Sequence, residues 1–218
     1  MTTPSATSPT SRERILQSIR DALAGAGEAA PVDRGYAEAH VPDDPAALLA
    51  LLADNLQDYR ARVHRAGTRE LPGLIARLLA DRDVRTLVLP PGVPEFWTTA
   101  TDVDLLVDDP EDLLTTCRLD AVEAVLTGCT LAIAETGTIV LDGGPGQGRR
   151  VLTLVPDHHI CVVRAPEQIV ASLPLAMHRL DPTRPLTWIS GPSATSDIEL
   201  ERVEGVHGPR TLDIILPA

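Results

Sequence analysis

Apolar positions near the start of the chain recur at helical spacing. Ile15, Ile19 and Leu23 fall on one face of a predicted amphipathic helix over 11–24, and Gly25 is typical of a helix end. The N-terminal helices before residue 84 are expected to pack together on one side of the later part of the chain.

Two further helices are expected. Asp44 is a capping residue and Pro45 suits the first helical position, so a helix is predicted from there to about Ala66. Another is predicted over 71–80. Residues 1–9 are rich in Ser, Thr and Pro and are predicted to form a disordered tail.

From about residue 84 onward, short apolar runs are separated by glycine-rich turns and helical stretches. Strands alternating with helices are typical of an α/β sheet with helices on both faces. We therefore predict a helical N-terminal extension over 10–83 and one α/β domain over 84–218. Strands are predicted at 86–89, 104–107, 122–126, 130–134, 138–141, 151–155, 160–163, 186–190 and 211–216, with helical segments at 94–99, 110–116 and 165–180.

Composition narrows the chemistry. The 218 residues are 44% hydrophobic but only 2% aromatic, and the formal net charge is −12. An acidic chain without an Arg-rich stripe is not expected to bind nucleic acid. It contains no lysine, which excludes a Schiff-base mechanism and a Walker-type phosphate loop. With no apolar run long enough for a membrane span and no signal-peptide pattern, a cytoplasmic protein is expected.

Metal ligands are not arranged in a recognisable set. Cys117, Cys129 and Cys161 are scattered, without the Cys-x-x-Cys spacing of zinc or iron–sulfur sites. The adjacent His158 and His159 fall on a predicted strand, where neighbouring side chains point to opposite faces. We therefore predict no metal site and no cofactor bound by this chain.

The first segment with candidate chemistry is Ala-Glu-Thr-Gly-Thr-Ile-Val-Leu at 134–141. Glu135 ends a buried-looking strand, and edges of open α/β sheets are where ligands bind. Gly137 would let the backbone approach a ligand, while Thr136 and Thr138 offer hydroxyls. The same pattern also fits a carboxylate that only caps a turn.

The second segment is Gly-Pro-Ser-Ala-Thr-Ser-Asp-Ile-Glu at 191–199. Gly191 turns the chain after a strand, and Ser193 and Thr195 are helix-capping residue types, so a short helix is predicted to start near Asp197. A hydroxyl-rich helix start presents free amides to an anion. Self-capping by the acidic residues, without a ligand, is the alternative.

A third segment, Gly-Val-His-Gly-Pro at 205–209, contains His207 and Gly208. A histidine titrates near neutral pH and can shuttle a proton, although turn histidines are also common structural hydrogen-bonding residues. The glycine-rich tract 143–150 resembles a phosphate loop only in composition, and we predict a flexible hairpin loop there.

These three segments, in this order and spacing, resemble the LUD-domain family. The histidine and isoleucine at 159–160, after the valine and proline at 155–156, also fit, and the N-terminal helices match the family's short form in layout. The resemblance implies a three-layer α/β/α Rossmann-like fold, similar to the sugar-phosphate isomerase and CoA-transferase superfamily.

The resemblance also implies a function. Members are expected to support oxidation of L-lactate to pyruvate together with partner proteins that carry iron–sulfur clusters. Relatives in the wider superfamily use an acidic residue before a glycine turn as a nucleophile toward acyl groups, and Glu135 stands in a matching place.

We therefore predict a pocket that takes a small carboxylate or a phosphate-bearing ligand, with Glu135 and His207 as candidate catalytic residues. Two alternatives remain: an independent acyl- or CoA-transferase-like or sugar-phosphate-isomerase-like enzyme that uses Glu135, and a non-catalytic assembly protein. The predicted ligand-binding residues are Thr136, Gly137, Thr138, Gly191, Ser193, Thr195, Asp197 and Gly208.

Overall fold

The structure is a computed structural model that describes residues 10–25, 31–32, 34–164, 167–196, 202–204 and 207–217. The chain divides into two units, residues 1–36 and 37–218. The predicted disordered tail at 1–9 lies outside the described residues.

The first unit contains the helix α1 (Ser11–Leu23). Thr10 caps it: its hydroxyl accepts a hydrogen bond from the Glu13 amide at 3.3 Å, and the Glu13 carboxylate accepts one from the Thr10 amide at 2.6 Å. This reciprocal capping box satisfies two amides that the first turn leaves free. The predicted helix over 11–24 is confirmed.

The second unit is built around a parallel sheet of six strands. Across the sheet these are β1 (Arg62–Ala66), β12 (Thr211–Pro217), β7 (His158–Val162), β4 (Ala124–Gly128), β2 (Thr86–Leu89) and β3 (Asp104–Val107). Every neighbouring pair is parallel. The chain leaves β2 toward β3 on one side and then continues in β4 on the other, so the strand order reverses between β2 and β4.

A second sheet of four strands contains β8 (Ile169–Val170), β5 (Leu131–Ile133), β6 (Thr138–Leu141) and β9 (Thr187–Ile189), in that order. Beyond it, β10 (Ala194–Ser196) and β11 (Arg202–Glu204) pair as an antiparallel ladder. The helices of this unit are α2 (Pro45–Asp58), α3 (Leu71–Ala80), α4 (Thr116–Asp120) and α5 (Leu173–Met177), with single 3₁₀ turns at Glu95–Thr98 and Arg150–Thr153.

Side chains that alternate along the parallel strands divide the core between two faces of the sheet. On one face, Ile160 and Ile215 pack against α3 through Leu74, Ile75 and Leu79. The opposite face packs against α2 and the four-stranded sheet, in a cluster that includes Cys161, Ile214, Leu52, Leu56 and Ile139. The mostly parallel sheet with flanking helices confirms the predicted α/β class.

The predicted helix to Ala66 is wrong beyond Asp58. Arg60 adopts a φ of 67°, a left-handed conformation that ends the helix, and the chain then enters β1. Apolar spacing alone could not separate the helix from the strand, because Val63 suits both patterns. The strand pairs with β12, so the fold does not divide at residue 83: the segment before residue 84 supplies β1, α2 and α3 to the same unit.

Other boundaries also differ from the prediction. The segment predicted as a strand at 151–155 begins in the 3₁₀ turn Arg150–Thr153. The predicted helix over 165–180 is replaced by β8 and the short α5, which Ser172 caps by accepting a hydrogen bond from the Leu175 amide. The helix predicted at 110–116 instead begins at Thr116, where Thr115 caps α4.

Candidate functional site

The second and third motif segments line one cavity of about 300 Å³. It lies beside the end of β9 and over the face of the parallel sheet that carries His159. The predicted residues at its wall are Gly191, Ser193, His207 and Gly208. The structure therefore brings together side chains that are separated by about fifteen residues of sequence.

Backbone and hydroxyl contacts hold these two segments against each other. The Ser193 amide donates to the Pro209 carbonyl at 2.8 Å, and the Ser193 hydroxyl accepts from the His207 amide at 3.2 Å. Ser193 is therefore already engaged with the segment that contains His207. This contact fixes one wall of the cavity.

Gly191 is required by the turn that follows β9. Its φ is +85°, and a Cβ added there would lie 2.2 Å from the Tyr59 carbonyl oxygen at the end of α2. Gly137 meets the same helix: its φ is +56°, and an added Cβ would lie 2.8 Å from the Asn55 backbone. The glycines of both motifs therefore allow two turns to approach the carboxyl-terminal end of α2 closely.

Glu135 does not line this cavity. Its Oε1 accepts a hydrogen bond from the His40 amide at 2.5 Å, and its own amide donates to the Ala171 carbonyl at 3.0 Å. The Asn55 side chain donates to the neighbouring Ala134 carbonyl at 2.8 Å. These contacts give Glu135 a structural role, tying the 37–44 segment to the turn.

Hydroxyl groups connect the first motif to the second. Thr138 Oγ1 lies 2.8 Å from Thr136 Oγ1 and 2.8 Å from Ser190 Oγ. Ser190 lines the cavity, next to Gly191. This contact brings the first motif next to the second, although Glu135 faces elsewhere.

The helix predicted to start near Asp197 lies outside the described residues. Thr195, one of its candidate capping residues, lies in β10, opposite Val203 of β11, so its backbone is extended.

Two cavity residues escaped the sequence prediction. Arg150 is exposed and makes no ion pair with any described residue, so its guanidinium is available at the cavity wall. His159 is 1% exposed and lies 2.8 Å from Thr127 through its Nε2. Burial, with a smaller contribution from His158, lowers the pKa of His159 to about 3, so this imidazole is neutral.

A larger cavity of about 680 Å³ adjoins the first and shares Arg150, Thr153 and Thr187 with it. Its wall is the glycine-rich tract 143–150. Gly146 donates to the Pro91 carbonyl at 2.7 Å and accepts from the Gly128 amide at 2.8 Å. The tract therefore sits across the carboxyl ends of β2 and β4, where the strand order reverses and open α/β sheets bind ligands.

The tract 143–150, predicted as a flexible hairpin loop, is held in place by several hydrogen bonds and ion pairs. Arg149 binds the buried Asp108 through Nε at 2.7 Å and Nη2 at 2.6 Å, and Arg184 pairs with Asp142 at 2.7 Å. The Gly144 amide donates to the carboxylate of Asp142, the residue before the tract, at 3.0 Å. Among the arginines of this cavity, Arg150 is the one free of an ion pair within the described residues.

Comparison with known proteins places the chain in a family. The family model described as the LUD domain matches residues 49–216. The chain belongs to the LUD domain family. The matched range starts within α2 and ends in β12, so it includes the helix on which both motif glycines pack. The family predicted from the three motifs is confirmed.

Relatives of this LUD domain carry informative names. It is 48% identical over 179 residues to lactate utilization protein C of Deinococcus radiodurans, covering 80% of this chain and 82% of that protein. It is 28% identical over 236 residues to lactate utilization protein C of an Exiguobacterium species, covering 95% and 96%. A crystal structure of a DUF162 family protein from Deinococcus radiodurans at 1.70 Å resolution matches with a TM-score of 0.68 and 41% identity, over 81% of this chain and all of that chain.

Two properties of the LUD domain bear on the chemistry available. His158 and His159 have different partners, Asp213 and Thr127, on opposite faces of the sheet, as their adjacent positions predicted. Within the described ranges, no three His, Cys, Asp or Glu side chains are grouped to hold a metal ion. In the same ranges, no helix is both long and apolar enough to cross a membrane.

Proposed function

We propose that this LUD-domain chain takes part in lactate utilisation and binds a small hydroxy- or keto-carboxylate in the 300 Å³ cavity. The observation that carries the proposal is the 48% identity, over most of both chains, to a protein named for lactate utilisation. The cavity is large enough for a three-carbon acid.

The side chains of the cavity suit a hydroxy acid. Arg150 supplies a cation without an ion-pair partner among the described residues, and guanidinium groups bind carboxylates through paired hydrogen bonds. Ser190 and His207 supply hydroxyl and imidazole groups at the same wall. A carboxylate on Arg150 and a substrate hydroxyl near Ser190 or His207 would use all three.

Oxidation of a hydroxy acid needs an electron acceptor. The sequence has no Gly-x-Gly-x-x-Gly turn opening a helix after a strand and no clustered cysteines. We therefore assign the redox step to a partner protein, with iron–sulfur clusters as the expected cofactor there. The chain's own part is to bind and orient the acid.

Glu135 as a nucleophile, the alternative enzyme reading, receives less support. Its carboxylate is engaged with the His40 amide and is outside both cavities described above. A nucleophile in acyl transfer needs a free oxygen facing the substrate.

The test measures L-lactate binding by calorimetry and growth on L-lactate in a deletion strain. Arg150→Gln should weaken binding at least tenfold, about 1.4 kcal/mol, because it removes a charge-assisted hydrogen bond, and should slow growth on lactate. Arg69→Gln is the matched control, since Arg69 is exposed and outside the cavity. Equal binding and growth for both variants would refute the cavity assignment, and normal growth of the deletion strain would refute the function.

A further inference from the structure

A buried carboxylate links two histidines on the other face of the parallel sheet. Asp213 is 1% exposed and accepts hydrogen bonds from His64 Nε2 and His158 Nε2, each at 2.6 Å. Alternation along β12 and β7 puts these groups on the face that α3 covers. Burial raises the pKa of Asp213, but the two histidine bonds outweigh burial and hold it below its ordinary value.

His158 also borders a cavity of about 460 Å³ at the amino-terminal edge of the sheet. This cavity is separate from the 300 Å³ cavity of the proposed function and shares no lining residue with it. Two buried side-chain nitrogens lack a hydrogen-bond partner in the described structure: Nδ1 of His158 and Nε of Arg82. Both residues line this one cavity.

Unpaired buried polar atoms are costly and rare, so two of them at one cavity require an explanation. The Nε2 of His158 is used by Asp213, which leaves Nδ1 as the free position on a ring that is only 3% exposed. Nδ1 and the Arg82 Nε–H would both be satisfied by a ligand with acceptor oxygens.

The acidic side chains around the cavity are mostly engaged with other groups. Asp157 accepts from Arg210 Nε at 2.7 Å. Glu123 accepts from the Arg85 amide at 2.9 Å and from the Thr86 amide at 2.7 Å. Asp120 is the remaining carboxylate at the wall and has no ion pair with a described residue.

We propose that the amino-terminal edge of the sheet holds a second site, which binds a small oxyanion between His158 and Arg82. The ligand class is a carboxylate or a phosphate-type anion, because both offer the acceptor oxygens that these two donors need. Asp213 acts as a positioning residue: it fixes the imidazole ring through Nε2, so that Nδ1 faces the ligand.

His158 donates from Nε2 to Asp213 and from Nδ1 to an anion when both ring nitrogens carry hydrogen. The charged and titratable groups that face His158 from the surrounding elements are His64, Arg82, Asp120, Glu123, Asp157, Arg210 and Asp213.

The experiment follows histidine side-chain nitrogens by NMR while inorganic phosphate or L-lactate is added to the full chain. We expect a saturable shift of the His158 Nδ1 signal and no shift for the exposed His178. The two probes separate phosphate-type from carboxylate ligands.

Variants make the assignment specific. In His158→Gln the glutamine amide nitrogen replaces Nε2 and keeps the hydrogen bond to Asp213, so the fold should be retained. The variant has no Nδ1, so we expect at least tenfold weaker binding of whichever anion, phosphate or L-lactate, binds the wild type more tightly. Arg82→Gln should weaken it similarly, and it carries the test if the histidine variant fails to fold. Arg69→Gln should have no effect, and Asp120→Asn should strengthen binding by removing a like charge.

The proposal is overturned if neither anion shifts the His158 Nδ1 signal. It is also overturned if the saturable shift is unchanged both in Arg82→Gln and in Asp120→Asn. Weaker lactate binding in the 300 Å³ cavity of Arg150→Gln should leave the anion-induced shift of the His158 signal intact. The second site and the proposed function can therefore be refuted independently.

Discussion

Burial changes the acid–base behaviour of the His159 side chain. In the folded chain its pKa is lowered from 6.5 to about 3, mainly because the ring is buried and to a smaller extent because His158 lies next to it. Its neutral imidazole can accept or donate one hydrogen bond but carries no charge for binding an acid. In the proposed function, the positive charge that binds the acid therefore comes from Arg150.

The depressed pKa of His159 predicts how stability depends on pH. Between about pH 6.5 and 3 the unfolded chain binds one more proton than the folded chain at this residue, so stability falls as the pH drops below about 6.5. The slope from this residue approaches about 1.4 kcal/mol per pH unit. Urea unfolding of the wild type and His159→Gln between about pH 7 and 5 measures it.

The glutamine variant keeps an amide for Thr127 but does not titrate, so it should lose that slope. His178→Gln is the matched control: His178 is exposed, and its variant should keep the wild-type pH dependence. An unchanged slope in His159→Gln would show that folding does not lower the pKa of this imidazole.

For individual residues, the sequence located the motifs more reliably than it predicted the role of each side chain. Glu135 stood out because a carboxylate before a glycine turn resembles a catalytic pattern, yet it binds the His40 amide from ninety-five positions away. Arg150 and Asp213 gave no local signal, since a single arginine or aspartate acquires its role only from the strands that surround it. Such partners are set by tertiary contacts that one sequence does not encode locally.

The turns that follow β5 and β9 both pack on the carboxyl-terminal end of α2. Gly191→Ala should destabilise the chain by at least about 2 kcal/mol, because alanine is strained at a φ of +85° and its Cβ would overlap the Tyr59 carbonyl. Gly73→Ala is the matched control. Gly73 lies in α3 with open space around it, so alanine should stabilise by about 0.5–1 kcal/mol.

Urea unfolding of both glycine variants tests this view of the motifs. If Gly191→Ala is tolerated as well as Gly73→Ala, the turn is free to move away from α2, and its glycine serves the cavity rather than the packing.

Elements with a strong local pattern were predicted well, and those defined by partners were not. The helices α1 and α3 and the strands β2, β3 and β6 follow from apolar spacing and capping residues. The strand β1 and the ladder of β10 with β11 were missed, because their extended backbone is selected by pairing with distant strands. The similarity to the sugar-phosphate isomerase and CoA-transferase superfamily stays a prediction.

The second unit has an α/β fold with cavities at both edges of its parallel sheet, but the sequence contains no set of cluster ligands. If the proposed function is correct, electrons from L-lactate must leave through another protein. The purified chain should therefore show no lactate-dependent reduction of an artificial dye. A complex purified from cells grown on lactate should reduce the dye, and metal analysis should find iron in the partner proteins rather than in this chain.

Reconstitution supplies the decisive comparison. Omitting this chain from the complex should lower dye reduction at least tenfold, and adding back the wild type should restore it, because the acid is bound and oriented here. Adding back Arg150→Gln should restore it poorly, whereas Arg69→Gln should restore it fully. Dye reduction by the chain alone would mean that it carries its own redox cofactor, and undiminished reduction without the chain would favour an independent enzyme or an assembly role instead.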